Sequence, residues 1–282
     1  MKKILITGGN GLVGEYLNFL FNKKNYNSFP FGKQEMDITS KEKIYKVFKE
    51  IKPDIVIHLA ALTDVDFCEK NPEKAFNINT EGTKNIVEIS EYFNSFIVYL
   101  STDFIFDGKK GSPYNEKDIP NPVNIYGKSK LKGEEFVKNY KKSLIIRTSR
   151  IFGKNGKSFG CKLPYFMKEK KEFFLTNDII NSPTYAFDLS ECIIKLIEKD
   201  FYGIINICNE GWCSWYDFGL KMKKILNSDI EIKEISFDEF SKIFNIPARR
   251  PEFTPLSLEL LYSLNIKMRN WEEALISFLK EL

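Results

Sequence analysis

Short apolar runs alternate with amphipathic stretches through the first half of the chain. Ile4-Leu5-Ile6, the run from Asp54 to Leu59, Phe96 to Leu100 and Leu144 to Thr148 carry hydrophobic side chains at successive positions. Strands of that kind are buried on both faces, as in a parallel sheet with helices on either side. Between them, Leu12, Tyr16, Leu17 and Leu20, and then Ile44, Val47, Phe48 and Ile51, fall at helical spacing. The pattern predicts helices over 11–22, 41–51, 72–93 and 123–140, and a strand over 26–31. Strand and helix in alternation specify an α/β fold with a doubly wound parallel sheet. After Gly153 the rhythm loosens. It predicts helices over 187–198, 214–226 (capped by Ser214) and 271–279, with strands over 203–208 and 230–235.

Directly behind the first apolar run stands Thr7-Gly8-Gly9-Asn10-Gly11-Leu12-Val13-Gly14. Gly8 and Gly11 allow backbone angles and a closeness to a ligand that a side chain would forbid. Gly14 lets the following helix pack tightly on the strand, and the helix N-terminus offers free N–H groups to a pyrophosphate. The spacing also fits a plain turn. Its place at the first strand-to-helix connection favours a dinucleotide site in a Rossmann-type fold. The expected organisation is a dinucleotide-binding domain over residues 1–152 and a smaller α/β substrate lobe over 153–282, with some segments returning to the first sheet.

Tyr126 and Lys130 are four residues apart on a helical stretch and share a face. A free tyrosine titrates near pH ~10, too high for proton transfer at neutral pH, and a neighbouring cation favours its ionised form. Such a pair can hand a proton to a carbonyl oxygen; the same spacing fits a lysine-rich surface helix. Ser101-Thr102-Asp103 closes a buried strand, where side chains face the ligand crevice, although these residues also favour ordinary turns. His58, the one histidine, lies mid-strand and reads as a packed residue, not a base or metal ligand.

Composition narrows the field. The 282 residues carry 42 basic and 38 acidic side chains with no basic block, which gives no indication of nucleic-acid binding. No apolar run approaches the ~20 residues of a membrane span, and the first strand begins too early for a signal peptide. Five scattered cysteines without metal-ligand spacing suit reduced thiols in a cytoplasmic protein, and no metal is expected.

Taken in order, these motifs resemble the extended short-chain dehydrogenase/reductases. The matching features are TGGNGLVG, HLAA ending at Ala60 and Ala61, Asn79, the strand-end hydroxyl and Tyr126-x-x-x-Lys130. Within that family the chain is similar to the dTDP-4-dehydrorhamnose reductases. That similarity rests on MDIT at 36–39, STDFIFDG at 101–108, NIYGKSKLKGEE at 124–135, RTSRIFG at 147–153, SPT at 182–184, SWYDF at 214–218, ARRPEFTPLS at 248–257 and NWEEAL at 270–275. Arg150 stands where the family usually has an aromatic residue, and Asp178 to Thr184 departs from the family's Asp-Gln-x-Gly-Ser-Pro-Thr.

The resemblance implies roles. Tyr126 would donate the proton, Lys130 would hold the nicotinamide ribose, and Thr102 would orient the keto oxygen. Gly8, Asn10, Gly11, Leu12 and Val13 would line the pyrophosphate, Asp37 and Ile38 the adenine, and Ala60, Ala61, Thr63 and Asn79 the path to the nicotinamide. Val65, Asp103, Arg249 and Arg250 would face the nucleotide sugar, although the two arginines also fit a solvated loop. No acid precedes Glu35 at the end of the second strand, whereas Lys33 can attract a 2′-phosphate. The expected cofactor is therefore NADPH, with NADH possible. The implied activity is reduction of a 4-keto-6-deoxy nucleotide sugar, and a homodimer is compatible with the fold. Two other readings share these motifs: a nucleotide-sugar epimerase or dehydratase with tightly bound NAD, and a non-catalytic NADP-binding regulatory subunit.

Overall fold

The computed structural model describes residues 2–169 and 171–282. The first half builds β1 (Lys3–Thr7), α1 (Leu12–Lys23), β2 (Asn27–Phe31), α2 (Lys41–Ile51), β3 (Ile55–His58), α3 (Val65–Lys70), α4 (Pro72–Phe76), α5 (Gly82–Tyr92), β4 (Phe96–Leu100), α6 (Ile125–Asn139) and β5 (Ser143–Arg147). The second adds β6 (Ile151–Phe152), α7 (Phe159–Glu169), β7 (Glu172–Thr176), β8 (Thr184–Tyr185), α8 (Ala186–Glu198), β9 (Gly203–Asn206), α9 (Trp215–Leu226), β10 (Glu231–Ile235), α10 (Phe237–Phe244), α11 (Glu259–Ser263) and α12 (Trp271–Lys280).

Six parallel strands form the main sheet in the order β2-β1-β3-β4-β5-β9. Order reverses at β1, so the ends of β1 and β3 open a crevice beside the glycine turn. Ile4, Leu5, Ile6, Val56 and Ile57 are buried because helices cover both faces. β9 comes from the second half and completes the sheet, and α8 packs on α1. The largest core therefore draws on both sides of position 152, from Ile4 to Met268. Two-stranded parallel pairs, β10 with β7 and β6 with β8, build the rest of the lobe. Among the described residues no helix is long and apolar enough to cross a membrane.

The pattern of apolar positions locates the elements it predicts to within a few residues and misses α7, β7 and α10; one further difference bears on the site. The expected helix over 72–93 is interrupted by a π turn, Asn77–Glu81, between α4 and α5. One extra residue in the turn rotates Asn79 inward. Its amide accepts from the Leu62 amide at 2.7 Å and donates to the Leu62 carbonyl and to Ser129 Oγ, both at 3.0 Å. A single buried side chain thereby holds the loop after β3.

His58 is packed, as its place in the strand implied. Thr83 donates its one proton to the Asn79 carbonyl, so its oxygen accepts from His58 Nε2 at 3.0 Å. His58 Nδ1 then accepts from Thr7 Oγ1 at 2.7 Å, and that oxygen in turn accepts from the amides of Leu59 and Ala60. The relay joins β1, β3 and the π turn. Burial, with the nearby Lys130 charge, lowers the imidazole pKa to about 3. The unfolded chain takes up this proton below its ordinary value of 6.5, so the contribution to stability is present above that pH and is lost as pH falls toward 3. The imidazole signal in NMR spectra should stay at its neutral shift from pH 8 down to ~4. Replacing His58 with Leu should cost about 2–4 kcal/mol in denaturant unfolding, because two buried hydroxyls lose a partner.

Candidate active site

The glycine turn is shaped as a cradle. Gly8 has a φ of +66°, and a Cβ there would lie 2.9 Å from the Ala60 nitrogen. A Cβ on Gly14 would come within 2.6 Å of the Gly9 carbonyl oxygen, which is the close helix-on-strand packing the spacing implied. Gly11 is the N-cap of α1, and no described side chain caps that end. The first amides of α1, from Leu12 and Val13 onward, are therefore available to an anion. A backbone without side chains at Gly8 and Gly11, set against an uncapped helix, fits the pyrophosphate of a dinucleotide.

α6 is anchored at its first turn. Asn124 accepts from the Gly127 amide at 2.8 Å and donates to the Arg249 carbonyl at 2.8 Å, while Glu69 of α3 accepts from the Ile125 amide at 2.9 Å. A Cβ on Gly127 would sit 2.1 Å from the Phe104 carbonyl oxygen, so the helix end and the strand-end loop are in direct contact. Tyr126 packs edge-to-face on Phe104, 5.7 Å between ring centroids, and the neighbouring Thr102 hydroxyl acts on the phenol. Thr102 Oγ1 also receives the Phe104 amide at 3.2 Å. Lys130 is buried one turn on, unlike a surface lysine. Its Nζ donates to the Leu100 carbonyl at 2.8 Å and lies 4.1 Å from the Tyr99 ring centroid.

The electrostatics differ from the sequence-based expectation that Lys130 draws the Tyr126 pKa down. Burial pushes the phenol above its ordinary value, and the nearby Thr102 hydroxyl opposes that rise. The Lys130 ammonium faces Leu100 and Tyr99, and its own pKa is lowered to about 7 by burial, partly offset by Glu134 one turn further along α6. The resting site holds a protonated phenol beside a hydroxyl that can stabilise the phenolate left after proton transfer.

Other expected contacts take different places. Asp103 is 1% exposed and does not open toward a ligand; it joins three segments. Its Oδ2 accepts from Ser149 at 2.8 Å and Thr254 at 2.7 Å, and its Oδ1 from Thr102 at 3.3 Å. Burial raises its pKa against those three bonds. Asn79 is fully buried and holds Leu62, which positions the loop carrying Ala60, Ala61 and Thr63. Asp37 binds the amide and hydroxyl of Thr39, and Ile38 is buried in the core between α2 and α5, against Gly82. Arg250 pairs with Asp66 at 2.8 Å and caps the Ala248 carbonyl, whereas Arg249 and Lys33 are exposed. Asp66 and Glu69 of α3, the helix that begins at Val65, thus meet the 248–250 loop and the start of α6. Arg150, with φ +39°, stacks 4.2 Å over Trp215 and donates to the carbonyls of Ser214 and Ile179. Spacing within the chain gave no sign of Asn124, Ser149 and Thr254. Among the described residues no cluster suits a metal ion.

Lys130 supplies a test. Its ordinary pKa is 10.5 and its folded value about 7, so between those values the unfolded chain binds the extra proton. The stability lost by burying the charge is therefore largest below pH 7 and shrinks as pH rises to 10.5. In thermal melts, Lys130→Met should gain more in Tm over the wild type at pH 6 than at pH 10. Equal gains would contradict this environment for Lys130.

The comparisons follow the same architecture. A family model described as the RmlD substrate binding domain matches residues 1–282. The spore coat polysaccharide biosynthesis protein SpsK of Bacillus subtilis is 35% identical over 100% of this chain and 98% of its own. The dTDP-4-dehydrorhamnose reductase of Aggregatibacter actinomycetemcomitans is 31% identical over 98% of this chain and 97% of its own. Among solved structures, the dTDP-4-dehydrorhamnose reductase of Bacillus anthracis in complex with NADP superposes with a TM-score of 0.94. It is 38% identical, over 100% of this chain and 99% of that one. With its whole length matched and its glycine cradle, Thr102, Tyr126 and Lys130 gathered at one sheet edge, this chain belongs to the RmlD substrate-binding domain family.

Proposed function

We propose that the protein is an NADPH-dependent reductase that converts dTDP-4-dehydro-β-L-rhamnose to dTDP-L-rhamnose for cell-surface polysaccharide. What supports the reading is that Thr102, following β4, and Tyr126 and Lys130, one helical turn apart on α6, lie with the glycine cradle at the C-terminal end of one parallel sheet, Tyr126 packed on Phe104 and Lys130 held by the Leu100 carbonyl. Names borne by full-length relatives supply the sugar and the nucleotide. Five buried, unpaired cysteines suit a reducing compartment.

The cradle of Gly8 to Val13 would hold the pyrophosphate, and the loop of Ala60, Ala61 and Thr63 would lead to the nicotinamide. When bound, the reduced nicotinamide supplies a hydride to the keto carbon. The chain's own residues manage the oxygen. Thr102 orients the carbonyl, and Tyr126 transfers its phenolic proton to that oxygen as negative charge grows there. Upward displacement of the phenol keeps the proton in place until then. Lys130, buried one turn along α6, would hold the nicotinamide ribose. Arg249, with the diphosphate of the nucleotide in reach of the 248–250 loop, would supply a planar fork for it.

Tyr126→Phe keeps the ring packed on Phe104 and removes only the hydroxyl. Turnover, followed as NADPH consumption with the dTDP-4-keto sugar, should fall by about 10²–10⁴-fold. Activity near the wild-type level would show that Tyr126 is not the acid.

A further inference from the structure

We infer that Glu35 sets the preference between NADPH and NADH, and that its charge opposes the 2′-phosphate. This rests on the dinucleotide reading above and concerns a residue outside the cradle. The turn after β2 lies directly against the glycine turn, since the Gly9 amide donates to the Phe31 carbonyl at 2.9 Å. A Cβ on Gly32 would come within 2.4 Å of Asn10 Nδ2, so Gly32 gives room for the Asn10 side chain to cross the end of β2. Glu35 folds back into the same place. Its Oε2 accepts from the Gly32 amide at 2.7 Å and would lie 3.3 Å from that same Cβ. The carboxylate is thus three residues late in sequence but reaches the end of β2, where an acid takes the ribose 2′-hydroxyl in this class of fold.

The sequence alone suggested an end of β2 free of acid and open to Lys33. In the structure both side chains are exposed, and Glu35 is the one seated on the backbone at the end of β2. With NADH, the carboxylate can accept the 2′-hydroxyl without moving. With NADPH, a 2′-phosphate meets a like charge and must displace Glu35 from the Gly32 amide, which the phosphate can then occupy while Lys33 offsets its charge. Both cofactors are accommodated, and the balance depends on Glu35.

Glu35→Gln separates charge from geometry, because its amide oxygen still accepts from Gly32. Isothermal titration of purified wild type, Glu35→Gln and Lys33→Gln with NADPH and with NADH gives affinities without any sugar substrate. Glu35→Gln should raise the ratio of NADPH to NADH affinity by roughly ten-fold, through tighter NADPH binding. Lys33→Gln should lower that ratio. A ratio unchanged by Glu35→Gln, with both nucleotides bound by the wild type, would overturn this inference alone. A wild-type protein that binds neither nucleotide would overturn the dinucleotide reading and this inference with it.

Discussion

One buried carboxylate governs how the segments around the candidate site meet. Asp103 follows β4, and its oxygens take hydroxyl protons from Thr102, from Ser149 beyond β5 and from Thr254 in the segment before α11. A buried carboxylate without partners would be strongly unfavourable, so the three segments are held to one geometry. Thr102 is thereby fixed at the end of β4, and the segment carrying Thr254 is drawn onto the sheet. Close packing continues this constraint. Gly108 leaves 2.6 Å between its would-be Cβ and the Glu252 amide, and Gly127 admits the Phe104 carbonyl at the head of α6.

A second network holds the floor of the site. Thr7, His58, Thr83 and Asn79 form a continuous hydrogen-bonded path from the glycine strand to the π turn, and Asn79 passes it to Leu62 and to Ser129 on α6. Beneath α6, Glu134 accepts from Ser101 and pairs with Arg147 at 2.6 Å, both side chains 3% exposed. Such a pair is poor evidence of net stability, since desolvation offsets much of the attraction. It does fix the face of α6 that carries Lys130. Tyr126 and Lys130 on α6 are therefore positioned by polar contacts beneath the helix, and their titrations follow from burial more than from each other.

Much of this was legible because the relevant signals are local. Apolar strands, the glycine spacing and the four-residue step from Tyr126 to Lys130 all fall within a turn or a strand. The less legible parts depend on distant partners. Asp103 looks like a ligand contact until Thr254, 151 residues away, is seen to donate to it. Arg250 looks free for a diphosphate until Asp66, 184 residues away, pairs with it. α3 is too short, at six residues, to show a period, and its start is set by the Asp64 cap. α7 carries Pro164 within it, which reads as a break. Glu35 was visible, but only the fold of its turn brings it back to Gly32.

The central claim is that the glycine cradle and the Thr102–Tyr126 pair serve one carbonyl from two sides. Its most direct test is isotope transfer. The protein would be incubated with NADPH deuterated at the transferable position of the nicotinamide and with dTDP-4-dehydrorhamnose, and the product analysed by mass spectrometry and NMR. The account predicts dTDP-rhamnose carrying one deuteron on the carbon that bore the keto group. Product without that deuteron, or recovery of the keto sugar unchanged, would contradict it.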